Sequence, residues 1–140
     1  MKPGAVSDAL ISQVDILATL ANVVGAEVPV NTAHDSHNML AVWKENASSP
    51  RHDIVHNTMA NAYALRHENW VFIANKTGAH SKVPAWFDKE NGYAKSDQPG
   101  ELYDLSTDLA QKHKLYAEMP DKVKELTALL AQIRAKGQVR

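Results

Sequence analysis

With 140 residues, 44% of them hydrophobic, the chain can build one modest core, and its composition is neither disordered nor membrane-like. Its 15 Lys and Arg against 16 Asp and Glu leave a formal net charge of -1, so the bulk charge gives no reason to expect nucleic acid, an anionic membrane or a polyanionic substrate. Cysteine is absent, which excludes disulfides, thiolate metal sites and thiol nucleophiles together.

The opening Met1-Lys2-Pro3-Gly4 runs almost directly into a helix pattern, without the charged and apolar regions of a signal peptide, and reads as an artificial boundary. Ser7 is placed to cap a first helix whose apolar residues fall at Leu10, Val14, Leu17, Ala21 and Val24, with Gly25 to end it. Leu10, Ile11, Val14, Ile16, Leu17, Leu20, Val23 and Val24 make a stripe broader than the rest of so short a chain obviously covers, so this helix is expected to have lost a partner. Ser12, Gln13, Asp15, Thr19 and Asn22 interrupt the stripe too often for a bilayer span.

Residues 27–50 read as a long loop, with a helical turn over 39–43, whose length suits either a functional segment or a connector packed against something else. Three antiparallel strands follow, on Ile54-Val55-His56, on Ala62-Tyr63-Ala64-Leu65-Arg66 and on Trp70-Val71-Phe72-Ile73. Residues 76–100 form an excursion that Trp86, Phe87 and Tyr93 could anchor, and Glu101-Leu102-Tyr103-Asp104-Leu105 alternates like a fourth strand. Ser106-Thr107-Asp108 is a turn placed to cap a short helix over 109–113. The last helix starts at Pro120 and presents Val123, Leu126, Leu130 and Ile133 to one sheet face until Gly137. Asp121 near its start and Arg134 and Lys136 near its end suit the helix dipole. The expected fold is α+β: an N-terminal amphipathic helix, then a small antiparallel sheet of about four strands packed by a C-terminal helix.

His34-Asp35-Ser36-His37 is the densest group of possible ligands, but nothing in the spacing dictates the geometry of a metal site, and a polar loop explains it more simply. His56 ends a strand, where a side chain can face a cleft or simply bond the neighbouring backbone. Ser48 or Ser49, His52 and Asp53 are too close in sequence for a triad assembled by folding. Tyr63, Trp70, Phe72 and Tyr103 suit core and cross-strand packing better than base stacking. The basic residues of the last third are interleaved with acidic ones and read as a solvated helix face.

Pro3-Gly4, Val14-Asp15-Ile16-Leu17-Ala18-Thr19-Leu20, Asp35-Ser36, Tyr63-Ala64-Leu65-Arg66 with Trp70, and Leu102-Tyr103-Asp104-Leu105 with Asp108 stand in an order and spacing that resemble the C-terminal third of the sulfatase family. Departures from that pattern include Ala18 for Pro, Ser36 for Gly, Val71 for Lys, Gln111 for Glu and Lys114 for Asn. The resemblance implies a two-part, exported parent enzyme: a large catalytic domain of alkaline-phosphatase type, then a four-stranded sheet with a C-terminal helix. Residues 1–50 would pack on the catalytic domain and 51–140 would form the C-terminal subdomain. It implies a formylglycine nucleophile made from Cys-x-Pro-Ser-Arg or a serine variant, and a calcium ion, both held upstream of this segment. Ser48-Ser49-Pro50-Arg51 is one residue too short between Pro and Arg to be the serine variant. No catalysis is therefore expected from this segment alone; His34, Asp35, His37 and His56 are candidates for contacts to the alcohol portion of the substrate. The expected partners are the N-terminal catalytic domain and a second copy through the first helix, with no nucleic acid and no membrane. The competing expectation is a free-standing α+β interaction module whose first helix docks to a protein.

Overall fold

Asp15 decides where the first helix begins. Its carboxylate accepts the Ser12 N–H at 2.8 Å, and the Asp15 N–H returns to the Ser12 carbonyl at 3.0 Å, closing a turn just ahead of α1 (Asp15–Val24). The computed structural model describes residues 3–29, 31–57, 62–76, 84–93 and 97–138. It divides into two units, Met1–Ile54 with Lys136–Arg140, and Val55–Ala135.

In the first unit the helix is shorter than its periodicity suggests, and the Ser7 cap is not used. The Leu10 carbonyl, which a longer helix would need for its own ladder, accepts the Ser49 hydroxyl at 2.6 Å, and the Ser12 N–H is held by Asp15. A long-range bond from Ser49 and a local one to Asp15 therefore override an amphipathic pattern that reaches back to residue 10. Gly25, at φ 71°, ends α1 as expected: its N–H reaches the Asn22 carbonyl and the Ala26 N–H reaches that of Ala21, a Schellman pair. The helical turn expected over 39–43 is α2 (Leu40–Glu45), which contacts α1 and is ended by Asn46 in the left-handed region at φ 55°.

The buried residues of this unit are mixed in character: Met39 and Val42 lie among Asp15, Thr19, Ser36 and Arg51. The apolar side of α1 points outward, with Ile16, Leu17, Leu20, Val23 and Val24 46–75% exposed.

The second unit carries the sheet, ordered β1-β2-β3-β4 with β1 (Asp53–Asn57) at one edge, beginning at the end of the first unit. The antiparallel pairing of β2 (Tyr63–His67) with β3 (Trp70–Ile73), and of β3 with β4 (Glu101–Asp104), sets Leu65 opposite Phe72 and Phe72 opposite Leu102. Directly opposed residues share a face, so these three buried side chains form one ladder across the sheet. Tyr63 and Trp70, two residues from Leu65 and Phe72, fall on the same face by the period of two.

The C-terminal helix, α4 (Pro120–Lys136), packs on the sheet as the stripe predicts. Leu126, Leu130 and Ile133 are buried, each contributing about 1.5–3 kcal/mol relative to exposure. Lys122 lies 5.4 Å from the centre of the Trp70 ring and Arg134 lies 4.1 Å from that of Tyr63, so a cation near each end of the helix covers an aromatic on the ladder face. No helix among the described residues is long and apolar enough to cross a membrane.

Two connections differ from expectation. Within 76–100, α3 (Ala85–Asn91) forms, with Trp86 and Phe87 edge to face at 5.9 Å and 59% and 40% exposed; the rest of that excursion lies partly outside the described residues. The helix expected over 109–113 does not form, because the Asp108 carboxylate accepts the His113 N–H at 2.7 Å and holds the segment as a turn. The chain then returns to β4, where the Leu115 N–H donates to the Leu102 carbonyl at 2.8 Å.

Gly100, just before β4, has no room for a side chain: an added Cβ would lie 2.7 Å from the Ile73 carbonyl oxygen and 2.7 Å from Cε2 of Tyr116. The ring can yield, but the carbonyl belongs to β3. Gly100→Ala is expected to cost about 1–3 kcal/mol in urea unfolding; unchanged stability would mean that the β3–β4 approach is looser than this packing requires.

Candidate functional site

Asp15 lies in an otherwise apolar helix pattern and is 1% exposed, so its charge requires partners. Arg51 supplies two: Nε reaches Asp15 Oδ2 at 2.9 Å and NH2 reaches Oδ1 at 2.5 Å. The remaining Arg51 donors go to backbone, NH1 to the Asp53 carbonyl at 3.0 Å and NH2 to the Asp35 carbonyl. The His37 N–H completes the Asp15 environment at 2.9 Å from Oδ1. No buried side-chain nitrogen or oxygen among the described residues lacks a partner. Removing one member of so enclosed a pair costs about 3–5 kcal/mol, mostly because the other is left charged and unpaired.

Burial pushes the Asp15 carboxyl up, but the bonds from Arg51, His37 and Ser12 outweigh it and hold the group below the usual carboxylate range. Thr19 extends the network: its hydroxyl donates to the Asp15 carbonyl at 2.6 Å and accepts the Met39 N–H at 2.9 Å. The Ser36 Oγ accepts the Ala18 N–H at 3.0 Å. Residues 35 to 39 are thus tied at the carbonyl of 35, the side chain of 36 and the amides of 37 and 39.

His34 and His37 line one concavity of about 790 Å³ together with Asn22, Asn31, Thr32 and Asn38. Its lining includes no Asp, Glu, Lys or Arg among the described residues, and its polar members are Asn, Thr, Ser, Gln and His. Asp35 contributes its carbonyl to Arg51. His56 stands exposed on β1, in the second unit. The structure therefore brings two of the four candidate residues to one concavity and puts a third in the network behind it.

The residues that organise this region, Asp15, Thr19, Ser36 and Arg51, are not among the candidates read from sequence. The available signal was the pair of hydrogen-bonding side chains Asp15 and Thr19, one turn apart on an apolar helix. Ser48-Ser49-Pro50-Arg51, weighed above as a nucleophile motif, has structural duties instead: Ser49 holds the Leu10 carbonyl and Arg51 neutralises Asp15.

The groups implied by the resemblance do not fit the residues present. Among the described residues no three His, Cys, Asp or Glu side chains come together as a metal-binding group, and with no cysteine there is nothing to convert to a formylglycine in the usual way.

No family model matches the chain. A curated N-acetylgalactosamine-6-O-sulfatase of Bacteroides thetaiotaomicron is 31% identical over 131 residues, covering 91% of this chain and 24% of that protein. A solved sulfatase structure described with the metabolism of multiple glycosaminoglycans by Bacteroides thetaiotaomicron is 28% identical, with a TM-score of 0.71 over 92% of this chain and 26% of its own. A second solved structure, of a protein in complex with its substrate D-glucosamine-2-N,6-O-disulfate, shares the fold at 20% identity and a TM-score of 0.65, over 96% of this chain and 26% of its own. The chain thus spans about a quarter of the length of the relatives it matches.

The depressed Asp15 pKa fixes the sign of a pH effect. Where the pH lies between its folded value and the unfolded value of about 3.9, the unfolded chain binds more protons. The stabilisation is therefore complete above about pH 4 and is lost as the pH falls through the folded value. In urea unfolding, wild type is expected to lose its advantage over Asp15→Asn progressively below pH 4; an advantage that stays constant down to pH 2 would contradict the assignment.

Proposed function

Since the chain belongs to the sulfatase family and spans about a quarter of its relatives' length, we propose that it is the C-terminal part of a sulfate-ester hydrolase whose bond-breaking groups lie elsewhere in the enzyme. The observation that carries this reading is the 31% identity to a sulfatase over nearly the whole chain but only a quarter of that enzyme. Sulfate-ester cleavage needs an activated oxygen nucleophile, charge neutralisation on the sulfuryl oxygens and a proton donor for the leaving alcohol. In this reading the nucleophile, a formylglycine, and the neutralising calcium belong to an upstream catalytic domain of alkaline-phosphatase type.

Residues 1–50 are then the helix and connector that dock on the catalytic domain, and 51–140 the C-terminal subdomain. The exposed Ile16, Leu17, Leu20, Val23 and Val24 support this, since an apolar face of that extent calls for a cover. A second copy of the chain, meeting the same face in a homo-oligomer, is the competing cover.

The segment's part in the reaction is to shape the cleft for the alcohol portion of the ester. His34, Asp35, His37 and His56 are its contacts, supported for His34 and His37 by their place on the polar concavity. The names attached to the relatives direct attention to 6-O-sulfated amino sugars as the class to try first. An uncharged, hydrogen-bonding lining suits sugar hydroxyls and amides.

The test is to make His37→Ala and His56→Ala in the complete enzyme and assay 6-O-sulfated amino sugars beside simple aryl sulfates. Loss of one polar contact is expected to lower kcat/KM about tenfold on the sugar esters, and less on the aryl esters that do not reach the contact. Unchanged kcat/KM on every ester would remove these residues from the cleft.

A further inference from the structure

We infer that Asp15 and Arg51 are positioning residues: their buried ion pair aims the His34–His37 edge of the concavity at whatever ligand occupies it, a role that rests on the cleft assignment above. The pair touches the loop at two points two residues apart. Arg51 NH2 donates to the Asp35 carbonyl, and Asp15 Oδ1, which accepts that same NH2, also accepts the His37 N–H at 2.9 Å. Ser36, between them, is 3% exposed and holds the Ala18 N–H. With the backbone held on both sides of Ser36, the chain direction at residues 34 and 37 is set by the pair, and both His34 and His37 line the concavity.

Stability alone is a poor explanation for this arrangement. A buried ion pair gives little that well-packed apolar side chains would not, because desolvation offsets most of the attraction; what it supplies beyond them is direction. Here the direction is used, since every guanidinium nitrogen of Arg51 is committed, to Asp15 or to backbone at residues 35 and 53. The loop also carries two non-glycine residues in the left-handed region, Asn31 at φ 71° and Ala33 at φ 51°, with the Ser36 N–H donating to the Ala33 carbonyl at 2.9 Å.

Arg51→Lys separates aim from stability, because it keeps a positive charge opposite Asp15 and gives up the planar fork that also reaches residue 35. In the complete enzyme, on an ester that His37→Ala slows, Arg51→Lys is expected to raise KM on the order of tenfold or more with a smaller change in kcat. Added to His34→Ala/His37→Ala it should cost little further, since both side chains to be aimed are gone. Leu130→Ala, in the core of the second unit, is the control: a comparable fall in Tm with KM unchanged. If Arg51→Lys does not fold, the double variant Asp15→Asn/Arg51→Met, which leaves no unpaired buried charge and removes the bond to the Asp35 carbonyl, takes its place with the same expectation.

The inference is overturned if the variant lowers Tm as the control does and leaves KM intact, or if its loss adds in full to that of His34→Ala/His37→Ala. Should His37→Ala be silent on every ester, the cleft assignment fails by itself, and positioning is then read from the histidine ring NMR signals of the isotope-labelled enzyme. Displacement of the His34 and His37 signals in Arg51→Lys supports it, and unmoved signals overturn it.

Discussion

A carboxylate that is 1% exposed and a guanidinium that is 2% exposed face each other in the first unit, and most of what is ordered there follows from that meeting. Asp15 closes the turn that starts α1, Arg51 reaches the Asp35 carbonyl, and the His37 amide finds its acceptor on the same carboxylate. Neither charge could be enclosed alone, and each is matched by hydrogen bonds as well as by opposite charge. The result is a unit whose interior is largely polar, ordered by directional bonds more than by apolar area.

The second unit uses the opposite means. Its ladder of Leu65, Phe72 and Leu102, covered by Leu126, Leu130 and Ile133 of α4, is held by apolar burial that depends little on direction. On the other face of β4, Tyr103 donates to Glu101, and burial together with that carboxylate pushes the phenol far above its ordinary range. The phenol therefore stays a neutral donor that satisfies a buried carboxylate, a structural contact of the strand rather than an ionisable site.

The strands and α4 were legible because a period of two with β-branched and aromatic residues, and a stripe at 126, 130 and 133, depend on local pattern and on one covered face. The start of α1 was not, because Leu10 fits the helical period while its carbonyl is claimed by Ser49, 39 residues away. The 109–113 helix was lost in the same way, to a side-chain bond from Asp108 that competes with the helix ladder. Ala18 and Ser36, two departures from the sulfatase pattern at 18 residues' separation, prove to be one physical unit: an amide that proline would not carry and the hydroxyl that satisfies it. Of the candidate site, the histidine-rich loop was visible as composition, whereas the network that holds it joins residues 15, 35, 37 and 51 and exists only in the fold.

On the proposed reading this segment supports and shapes a cleft, and the chemistry belongs to the rest of an enzyme like the sulfatase of which it spans about a quarter. The measurement that bears on that claim most directly is the coding sequence upstream of Met1, translated in the same frame. The account predicts that the frame continues into a domain with an Asp-Asp pair near its start and Cys-x-Pro-Ser-Arg, or its serine variant, beyond it. A stop codon immediately upstream would contradict it and leave a free-standing module whose exposed first helix must find its cover in another protein.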